Sequence, residues 1–380
     1  MALIVSAALL AILMACLLWE RHARDRALAA VPIRIHVNGT RGKSTVTRLI
    51  AAALREAGIR TVAKTTGTAP RLILPDGQER PVRRRAPASI REQLWVLREA
   101  RRWQAQAAVI ECMAVEPELQ AVCEDQMIRS TIGVVTNARP DHGEVMGPTA
   151  VDVARALSAT VPHTAVLIVG QTDGSEILAR AAHSRGSRLL RASADDAAPD
   201  AWEGRPWMAE NAGIALAVAR ELGIPDDIAR RGMVTASPDP GALREGGIEV
   251  AGRRVGYVDA TAANDPQSLG LVLGDRRDGA MFVFHHRADR PARLGQFVEA
   301  APWSMGADTV IVTGDRPDWA TWRRLRTRLP AGRASFAPRR RIAGEIRRRL
   351  SAPAAPPAVV FCGNSKGSRV DAIVEALQQA

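Results

Sequence analysis

Hydrophobic residues follow two different patterns along this chain. Residues 2–19 are apolar apart from Ser6, and the charged run Glu20–Arg26 follows directly. An apolar stretch of this length is just sufficient for one helix to span a bilayer. From residue 30 onward, short β-branched runs alternate with stretches of helical periodicity. That alternation predicts an α/β protein with a mainly parallel sheet.

The alternation occurs in two series. The first predicts strands at Ile33–Asn38, Arg60–Lys64, Ala107–Glu111, Ile132–Thr136 and Ala165–Val169, with helices at Ser44–Ala57, Ser89–Gln104 and Val151–Thr160. The second predicts strands at Val255–Asp259, Met281–His285, Asp308–Thr313 and Ala358–Cys362, with helices between them. The Pro- and Gly-containing stretch 238–241 is the best linker between the two series. We therefore expect an anchor at 1–20, a central domain at 21–238 and a C-terminal domain at 239–380.

The first predicted strand leads directly into a glycine-containing turn and then a helix. The turn reads Gly39-Thr40-Arg41-Gly42-Lys43-Ser44-Thr45, and its context is that of a phosphate-binding P-loop. In such a loop backbone N–H groups surround the phosphates, the Lys43 ammonium contacts the terminal phosphates, and the Ser44 hydroxyl binds Mg²⁺. Position 37 is Val, where the longer P-loop motif has its first glycine.

Polar residues also follow three other strands of the first series at their carboxyl ends. They are Lys64 with Thr65–Thr68, Glu111, and the segment from Asn137 to His142. Because the carboxyl ends of parallel strands meet at one edge of a sheet, we expect these residues beside the P-loop. A shared Mg²⁺ would offset the cost of a carboxylate at Glu111, and a salt bridge is the alternative. His142 is either a metal or phosphate ligand or an exposed loop residue.

Together these motifs resemble the ATP-binding core of the Mur ligase superfamily, whose P-loop has the short G-T-x-G-K-[ST]-[ST] form. Two more matching segments lie downstream, at Glu210–Ala217 and at Asp259–Ser268. Within the superfamily, the reading V-N-G-T-R-G-K-S-T-V-T-R, the segment Glu111–Val115 and the apolar N-terminus look like the ligase subunit of poly-γ-glutamate synthases. The resemblance implies a P-loop central domain with a parallel sheet and a smaller, Rossmann-like C-terminal α/β domain.

The resemblance also implies an activity, which is ATP-dependent polymerisation of glutamate through γ-carboxyl linkages, by way of an acyl phosphate and with release of ADP and phosphate. It implies catalytic roles for Lys43, His142, Glu111 and Lys64, with Lys64 steering the carboxylate substrate. It implies nucleotide contacts from Gly39, Thr40, Arg41, Gly42, Lys43, Ser44, Thr45, Asn211 and Asp259, and Mg²⁺ or Mn²⁺ ligands at Ser44, Glu111 and His142. Many Mur ligases carry a carbamylated Lys after the His motif, but residues 157–160 contain no Lys, so the number of metals stays open.

Composition changes this picture in two respects. The chain carries 52 Lys plus Arg, and only Lys43, Lys64 and Lys366 are Lys, which favours a need for a compact ammonium at those positions. Lys366 begins the last predicted helix, where it is either an anion ligand or a surface residue. The net charge of +12 invites a nucleic-acid partner, but aromatic residues make up 4% of the chain and no basic strand carries aromatics for base stacking. We therefore expect no nucleic acid and favour a polyanionic product or an anionic membrane surface.

The charges around the apolar segment predict its orientation. No Lys or Arg precedes it and three Arg follow it within Glu20–Arg26, which predicts a single-pass anchor in the cell membrane with the catalytic part in the cytoplasm. A cleaved signal peptide would carry positive charge before the apolar core. Leu13–Cys16 looks like a lipoprotein signal, but that reading would place the nucleotide site outside the cell.

The main alternative function is a membrane-tethered P-loop ATPase that drives polymer export. No hydrophobic strand ending in Asp is evident for such an ATPase, and the Asp259–Ser268 segment favours the ligase. The resemblance implies glutamate and the growing poly-γ-glutamate chain as substrates, together with membrane partner subunits. The sequence leaves open the stereochemistry of the glutamate, the direction of chain growth and homo-oligomer formation.

Overall fold

The chain folds into two compact units in this computed structural model, Met1–Asp239 and Pro240–Ala380. The structure describes residues 1–67, 69–84, 87–170, 172–197, 206–239, 243–263, 265–273, 279–300, 309–330, 332–364 and 367–379. Thr68, Asn264, Lys366 and part of the expected linker at 238–241 lie outside the described residues.

The first unit contains one large sheet with helices on both faces. Its strands are β1 (Ile33–Asn38), β2 (Thr61–Lys64), β3 (Arg71–Ile73), β4 (Glu79–Pro81), β5 (Ala107–Glu111), β6 (Ile132–Val135), β7 (Val166–Val169) and β8 (Arg188–Arg191). Its helices are α1 (Ala2–Ala30), α2 (Lys43–Glu56), α3 (Glu92–Arg102), α4 (Pro117–Val122), α5 (Gly143–Met146), α6 (Ala150–Leu157), α7 (Ser175–Ser184), α8 (Pro206–Glu221) and α9 (Asp226–Val234). A π-helical turn spans Cys123–Ile128, and 3₁₀ turns span Ser158–Thr160 and Ala194–Ala197.

The strand order of this sheet is β4-β3-β2-β5-β1-β6-β7-β8. The six strands β2, β5, β1, β6, β7 and β8 pair in parallel with their neighbours in that order. At one edge of the sheet, β3 pairs antiparallel with β2 and with β4. The first strand is central, and its side chains alternate between two buried layers. Ile35 and Val37 pack under α2 with α8 and α9, whereas His36 and Asn38 make buried polar contacts on the other face. The strand that leads into the P-loop is therefore held on both sides.

The N-terminal helix α1 begins exposed and ends inside the fold. Within the described residues, Ile4–Ala30 is the one helix long and apolar enough to cross a membrane. Its last turn packs against α3 and β5, and Leu28 and Val31 are 7% and 0% exposed. Burying two such side chains contributes on the order of 3–5 kcal/mol. The apolar segment is thus continuous with a helix that only Val31 and Pro32 separate from the sheet.

The second unit contains a smaller sheet, also covered on both faces. Its strands are β9 (Arg244–Val250), β10 (Arg253–Asp259), β11 (Met281–His286), β12 (Thr309–Gly314), β13 (Ala334–Phe336) and β14 (Ala358–Gly363), and its helices are α10 (Pro266–Leu273), α11 (Pro291–Ala300), α12 (Trp319–Arg328), α13 (Ile342–Leu350) and α14 (Val370–Gln378). The strand order is β13-β12-β11-β14-β10-β9, with only β9 antiparallel to its neighbour. Helices α10 to α12 pack on one face of the sheet and α13 with α14 on the other.

The predicted alternation of strands and helices is confirmed, with end points that shift by a few residues. The helix expected at Ser89–Gln104 begins three residues later, at Glu92, because residues 87–91 form turns. The helix expected at Val151–Thr160 ends at Leu157 and continues as a 3₁₀ turn. The expectation of a mainly parallel arrangement holds, and the antiparallel strands β3, β4 and β9 are additional to the predicted ones.

Candidate active site

The P-loop turn adopts a backbone that two of its glycines make accessible. Gly39 and Gly42 have φ values of +125° and +81°, a region that side chains with a Cβ rarely enter. A Cβ on Gly39 would lie 2.1 Å from the Thr136 hydroxyl, and one on Gly42 would lie 2.3 Å from the Asn211 amide oxygen. The turn therefore packs directly against the end of β6 and against α8, and Gly42 caps the first turn of α2.

A network of hydrogen bonds fixes this turn to the loop after β6. The Thr40 hydroxyl donates to Asn137 Oδ1 at 2.7 Å, and Arg41 N–H donates to the same oxygen at 3.1 Å. The Asn137 amide and the Thr136 hydroxyl both donate to the Arg41 carbonyl, at 3.1 and 2.5 Å. The Arg41 guanidinium lies 3.1 Å from the Asp141 carboxylate. The segment from Thr136 to Asp141 thus sets the shape of the phosphate-binding turn.

Lys43 curls over the turn that precedes it. Its ammonium donates to the Gly39 carbonyl at 2.6 Å and to the Thr40 carbonyl at 3.5 Å. These carbonyls hold the positive charge above the N-terminus of α2, where free backbone N–H groups and the helix dipole also favour an anion. Lys43 and the backbone of residues 39–44 therefore form an arrangement suited to a phosphate group.

Glu111 joins three elements of the carboxyl edge. One of its oxygens accepts hydrogen bonds from the Ser44 hydroxyl at 2.8 Å and from Thr66 N–H at 2.7 Å. Its other oxygen accepts from the Thr66 hydroxyl. The residue is 2% exposed, so these three donors are what stabilise its carboxylate away from bulk water. The alternative expected from the sequence was a salt bridge to Glu111. At the Glu111 oxygens the structure has hydrogen bonds from Ser44 and Thr66 instead.

The side-chain oxygens of Ser44 and Glu111 are suitable ligands for a magnesium ion. Both supply oxygen, the ligand atom that Mg²⁺ prefers, and two protein ligands plus substrate phosphates are a usual number for it. Among the described residues no group of three or more His, Cys, Asp or Glu is placed to hold a metal without further ligands. The geometry therefore suits a metal that arrives with a phosphate ligand rather than one held by protein alone.

His142 lies on the same loop as Asn137 and caps the short helix α5. Its φ is +50°, and its ring nitrogens lie 3.9 Å from the Asp141 carboxylate and 3.6 Å from the Glu144 carboxylate. The ring is partly exposed. The expected roles of His142 in catalysis and metal binding stay predictions, because its nearest described carboxylates are those of its own loop.

Lys64 ends β2 with a fully buried side chain. Its ammonium lies 3.0 Å from the Glu92 carboxylate, which also accepts a hydrogen bond from Arg84 at 2.7 Å. Burial lowers the pKa of Lys64, and the charge of Glu92 opposes that shift. Burial alone would raise the pKa of Glu92, but Arg84 and Lys64 outweigh it and hold that pKa below its ordinary value. Lys64 is therefore paired at the edge of the site, and its role in steering a carboxylate stays a prediction.

Asn211 and Glu210 bring α8 to the turn. Asn211 is 8% exposed and faces Gly42, as the close approach of its amide oxygen shows. Glu210 lies 3.2 Å from the Arg139 guanidinium. Of the residues expected to contact nucleotide, those from Gly39 to Thr45 and Asn211 are therefore brought together in the first unit.

Asp259 belongs to the second unit, at the carboxyl end of β10. It is 6% exposed and accepts hydrogen bonds from Thr261 N–H and hydroxyl at 3.2 and 2.6 Å and from Arg244 at 2.8 Å. Its expected contact with nucleotide stays a prediction.

A second polar cluster lies at the carboxyl ends of β11 and β14, between which the strand order reverses direction. His285 Nδ1 lies 2.8 Å from the Asn364 carbonyl, and the Asn364 amide donates to the His285 carbonyl at 2.9 Å. Arg293 donates to the Asn364 side chain, and Arg339 lies 3.4 Å from His285 Nε2. Such a reversal point is where open α/β sheets bind ligands. Two guanidinium groups there favour an anion.

The contacts of His285 define its protonation. A carbonyl at Nδ1 requires a proton on that nitrogen, so Nε2 accepts from Arg339 in the neutral ring. Burial lowers the pKa of His285, and the charges of Arg339 and Arg287 lower it further. The ring is therefore a neutral bridge that orients Arg339.

Sequence reasoning placed the Thr65–Thr68 segment beside the P-loop but did not single out Thr66 as the partner of Glu111, and it missed Glu92 and this second cluster. The sequence signal for Thr66 was its place two residues after Lys64, at a strand end. The signal for the cluster was Gly363-Asn364 at the end of the last strand, whereas nothing local marks Glu92, Arg293 or Arg339 as partners of distant residues.

Comparison with known families supports two assignments. Residues 37–218 match the Mur ligase middle domain, and residues 247–380 match the poly-gamma-glutamate synthase CapB C-terminal domain. The chain is 36% identical over 309 residues to the capsule biosynthesis protein CapB of Bacillus anthracis, covering 78% of this chain and 66% of that one. It is 34% identical over 304 residues to the PGA synthase CapB of Bacillus subtilis, covering 77% of each.

A solved structure shares the fold. The folylpolyglutamate synthase of Mycobacterium tuberculosis, complexed with ADP, superposes with a TM-score of 0.64 at 18% identity, covering 90% of this chain and 88% of that one. The likeness extends over both units of the chain.

Proposed function

The chain belongs to the Mur ligases and, within them, to the CapB family of poly-γ-glutamate synthases, and we propose on this basis that it is an ATP-dependent ligase that joins glutamate units through their γ-carboxyl groups. The observation that carries the proposal is the junction of Lys43, Ser44 and Glu111 at the carboxyl edge of the sheet. Two of the related proteins described above are named as synthases, and the names of the relatives give no support to the alternative of an export motor.

The chemistry requires activation of a carboxylate. A carboxylate does not acylate an amine at neutral pH, because oxide is a very poor leaving group. Phosphoryl transfer from ATP converts the carboxylate to an acyl phosphate, from which an incoming amine displaces phosphate and forms the amide. Charge is transferred at each step, so donors fixed in advance around the phosphoryl group lower the barrier.

The residues of the first unit suit the phosphoryl-transfer step. The Lys43 ammonium and the N–H groups of the turn would hold phosphate oxygens, and Asn137 keeps the turn in shape through Thr40 and Arg41. Ser44 and Glu111 would hold Mg²⁺ or Mn²⁺, which supplies neutralisation of phosphate charge when bound. Removing one such preorganised donor commonly lowers the rate by roughly 10²–10³.

The cluster of the second unit suits the anionic substrate. Arg293 and Arg339, oriented by Asn364 and His285, present donors in the fixed geometry that carboxylates accept. We therefore propose that a glutamate carboxylate binds at this cluster. Replacing Arg339 by Met is expected to raise the KM for glutamate at least about tenfold with kcat little changed, because a positioning contact to the substrate is lost. Arg348, exposed on α13, is the control; an equal effect of Arg348→Met would contradict the assignment.

We further propose that residues 1–20 anchor the chain in the cell membrane, with residues 21–238 as the ATP-binding domain and 239–380 as the second domain, both in the cytoplasm. The exposed apolar surface of α1 supports this. A single span cannot enclose a polymer pathway, so export would require membrane partner subunits.

Trapping of the acyl phosphate tests the ligase. The full chain is incubated with Mg²⁺-ATP, glutamate or oligo-γ-glutamate, and hydroxylamine. We expect glutamyl hydroxamate with matching ADP release, lost in Lys43→Ala and kept in Arg98→Ala, which removes an exposed cation on α3. Release of ADP that ignores glutamate and gives no hydroxamate would overturn the proposal, as would more than a tenth of wild-type product in Lys43→Ala.

A further inference from the structure

The direction of α1 relative to the central sheet carries an inference about the membrane. We propose that the carboxyl edge of this sheet, which carries the P-loop, faces the bilayer, and that exposed arginines at this edge contact anionic lipid headgroups. The proposal rests on the membrane span proposed above. It does not depend on the ligase activity, and its test measures no turnover.

The contacts at the two ends of helix α3 show in which direction it runs along the sheet. At its start, Glu92 contacts Lys64, the last residue of β2, with 3.0 Å between ammonium and carboxylate. Just after its end, the Gln104 carbonyl accepts a hydrogen bond from Arg60 at 3.0 Å, directly before β2 begins. The helix α3 therefore runs from the carboxyl edge of the sheet to the amino edge.

Helix α1 lies beside α3 and runs in the same direction. Glu20, the first charged residue after the apolar segment, lies 3.3 Å from Arg91 at the start of α3. At the other end, the Val31 carbonyl accepts a hydrogen bond from Arg34 at 2.8 Å, and Ile33 N–H donates to the Gln106 carbonyl at 3.1 Å, both at the amino edge. Between Glu20 and Ala30 the helix rises about 15 Å, which is close to the roughly 16 Å length of a five-residue strand such as β5.

The membrane end of α1 is therefore the end beside the catalytic edge. The last apolar residue, Trp19, is exposed. The next residue, Glu20, pairs with Arg91. Arg91 directly precedes Glu92, which pairs with Lys64. A span that stops at Trp19 places the bilayer surface next to the strand ends that carry Lys64 and the P-loop, and it places the amino edge on the far side of the domain.

The charges at this end match an anionic surface. Arg21 and Arg91 have side chains 73% and 76% exposed, and Arg83, just beyond β4, is also exposed. These three are here called the membrane-end arginines. Arg91 lies at the start of α3, Arg83 follows β4, and Arg21 lies on α1 just after the apolar segment. Three acids lie near them: Glu20 pairs with Arg91, Asp25 pairs with Arg24 and lies 4.0 Å from Arg21, and Glu92 pairs with Arg84 and Lys64. With Arg83, Arg24, Arg84 and Lys64 counted, the cations at this end outnumber these acids. Lipid headgroups are favoured over a protein partner because the patch is continuous with the span and each arginine near an anionic leaflet is worth about a fivefold factor in binding.

Fluorescence quenching in nanodiscs tests the orientation. The full chain, with Cys16→Ser to remove its exposed thiol, carries a fluorophore on Ser89→Cys just before α3 or on Arg102→Cys at its end. Both sites are exposed; Ser89 lies three residues before α3 begins, and Arg102 is the last residue of α3. Discs contain either neutral lipid or about one third anionic lipid, with a nitroxide on a fraction of the headgroups.

We expect the Ser89 label to be quenched at least about threefold more than the Arg102 label in anionic discs. Reversal of charge in Arg83→Glu with Arg91→Glu should remove most of that difference, and so should neutral lipid. The matched control, Arg98→Glu with Arg101→Glu, carries the same charge change on exposed α3 positions and should keep it.

Three results would overturn the proposal. Equal or stronger quenching at Arg102 would show that another edge faces the bilayer. Quenching at Ser89 that ignores both lipid charge and the Arg83 and Arg91 changes would show that headgroup contact is not what holds this edge. A chain that leaves the discs on washing would remove the span on which the orientation depends, and a hydroxamate-positive enzyme in that case would leave the ligase standing.

Discussion

The pair Glu111→Gln and Glu111→Ala separates the structural role of this carboxylate from its role in metal binding. In the Gln variant one side-chain oxygen stays and still accepts from Ser44 and Thr66 N–H, the two donors that share one oxygen in the native protein. The new NH₂ group takes the place of the other oxygen, facing the Thr66 hydroxyl, which can rotate to accept. The fold should therefore lose less than about 1 kcal/mol of unfolding free energy.

The Ala variant removes every acceptor at this point. Thr66 N–H has a fixed direction and stays buried without a partner, and two hydroxyls lose a charged acceptor. Hydrogen bonds to charged groups are worth about 1.5–3 kcal/mol, and an unsatisfied buried donor costs a similar amount. Unfolding free energy should fall by about 2–4 kcal/mol, which is a decrease of roughly 4–16 °C in Tm for a domain of this size.

Metal binding should respond differently, since both variants lose the negative charge. The Mg²⁺ concentration for half-maximal binding of a fluorescent ATP analogue should rise at least about tenfold in both. Thermal unfolding and the Mg²⁺ titration are measured on the same preparations. A Gln variant with normal stability and a Mg²⁺ midpoint within threefold of wild type would refute the metal role. A Gln variant as unstable as Ala would refute the hydrogen-bond argument.

Two further predictions concern the turn and the second cluster. Gly42→Ala should weaken ATP-analogue binding at least about tenfold, because its Cβ would lie 2.3 Å from the Asn211 oxygen; Gly58→Ala, with a similar φ of +77° and nothing within 4 Å, should cost about 1 kcal/mol of stability and leave binding unchanged. The lowered pKa of His285 means that the unfolded chain binds more protons between that pKa and the ordinary 6.5. Stability should therefore fall as pH drops below about 6.5, and His285→Gln should flatten the dependence of Tm on pH between about 5 and 7; an unchanged slope would show that another group is responsible.

The parts of this site that were predictable from sequence are those encoded by neighbouring residues. The P-loop turn needs a strand, two glycines and a helix within a few residues, so its backbone shape follows from a local motif. The approach of Glu111 to Ser44 also followed, since Glu111 ends β5, Ser44 lies at the start of the helix that follows the carboxyl end of β1, and such ends meet at one edge.

The parts that were not predictable depend on residues far apart in the chain. Glu92 reaches Lys64 only because α3 begins at the carboxyl edge, and the start predicted for that helix, Ser89, is three residues before the observed one. Strands β3, β4, β8 and β13 have three or four residues, several of them charged, and carry no alternating pattern. The cluster of His285, Arg293, Arg339 and Asn364 is assembled by three separate connections of the second sheet.

The pairing of Lys64 has a consequence for how an anionic substrate would be recognised. A buried ammonium is costly unless a negative charge accompanies it, and burial lowers the pKa of Lys64 despite Glu92. Glu92 is shared with Arg84, which can retain it when Lys64 turns away. A substrate carboxylate would then take the place of Glu92 as the partner of Lys64 while Glu92 stays paired with Arg84, so its arrival need not leave an unpaired ion. Glu92 directly follows Arg91, which contacts Glu20 of α1. This exchange would therefore take place where the sheet, the proposed anchor helix and the proposed lipid surface meet.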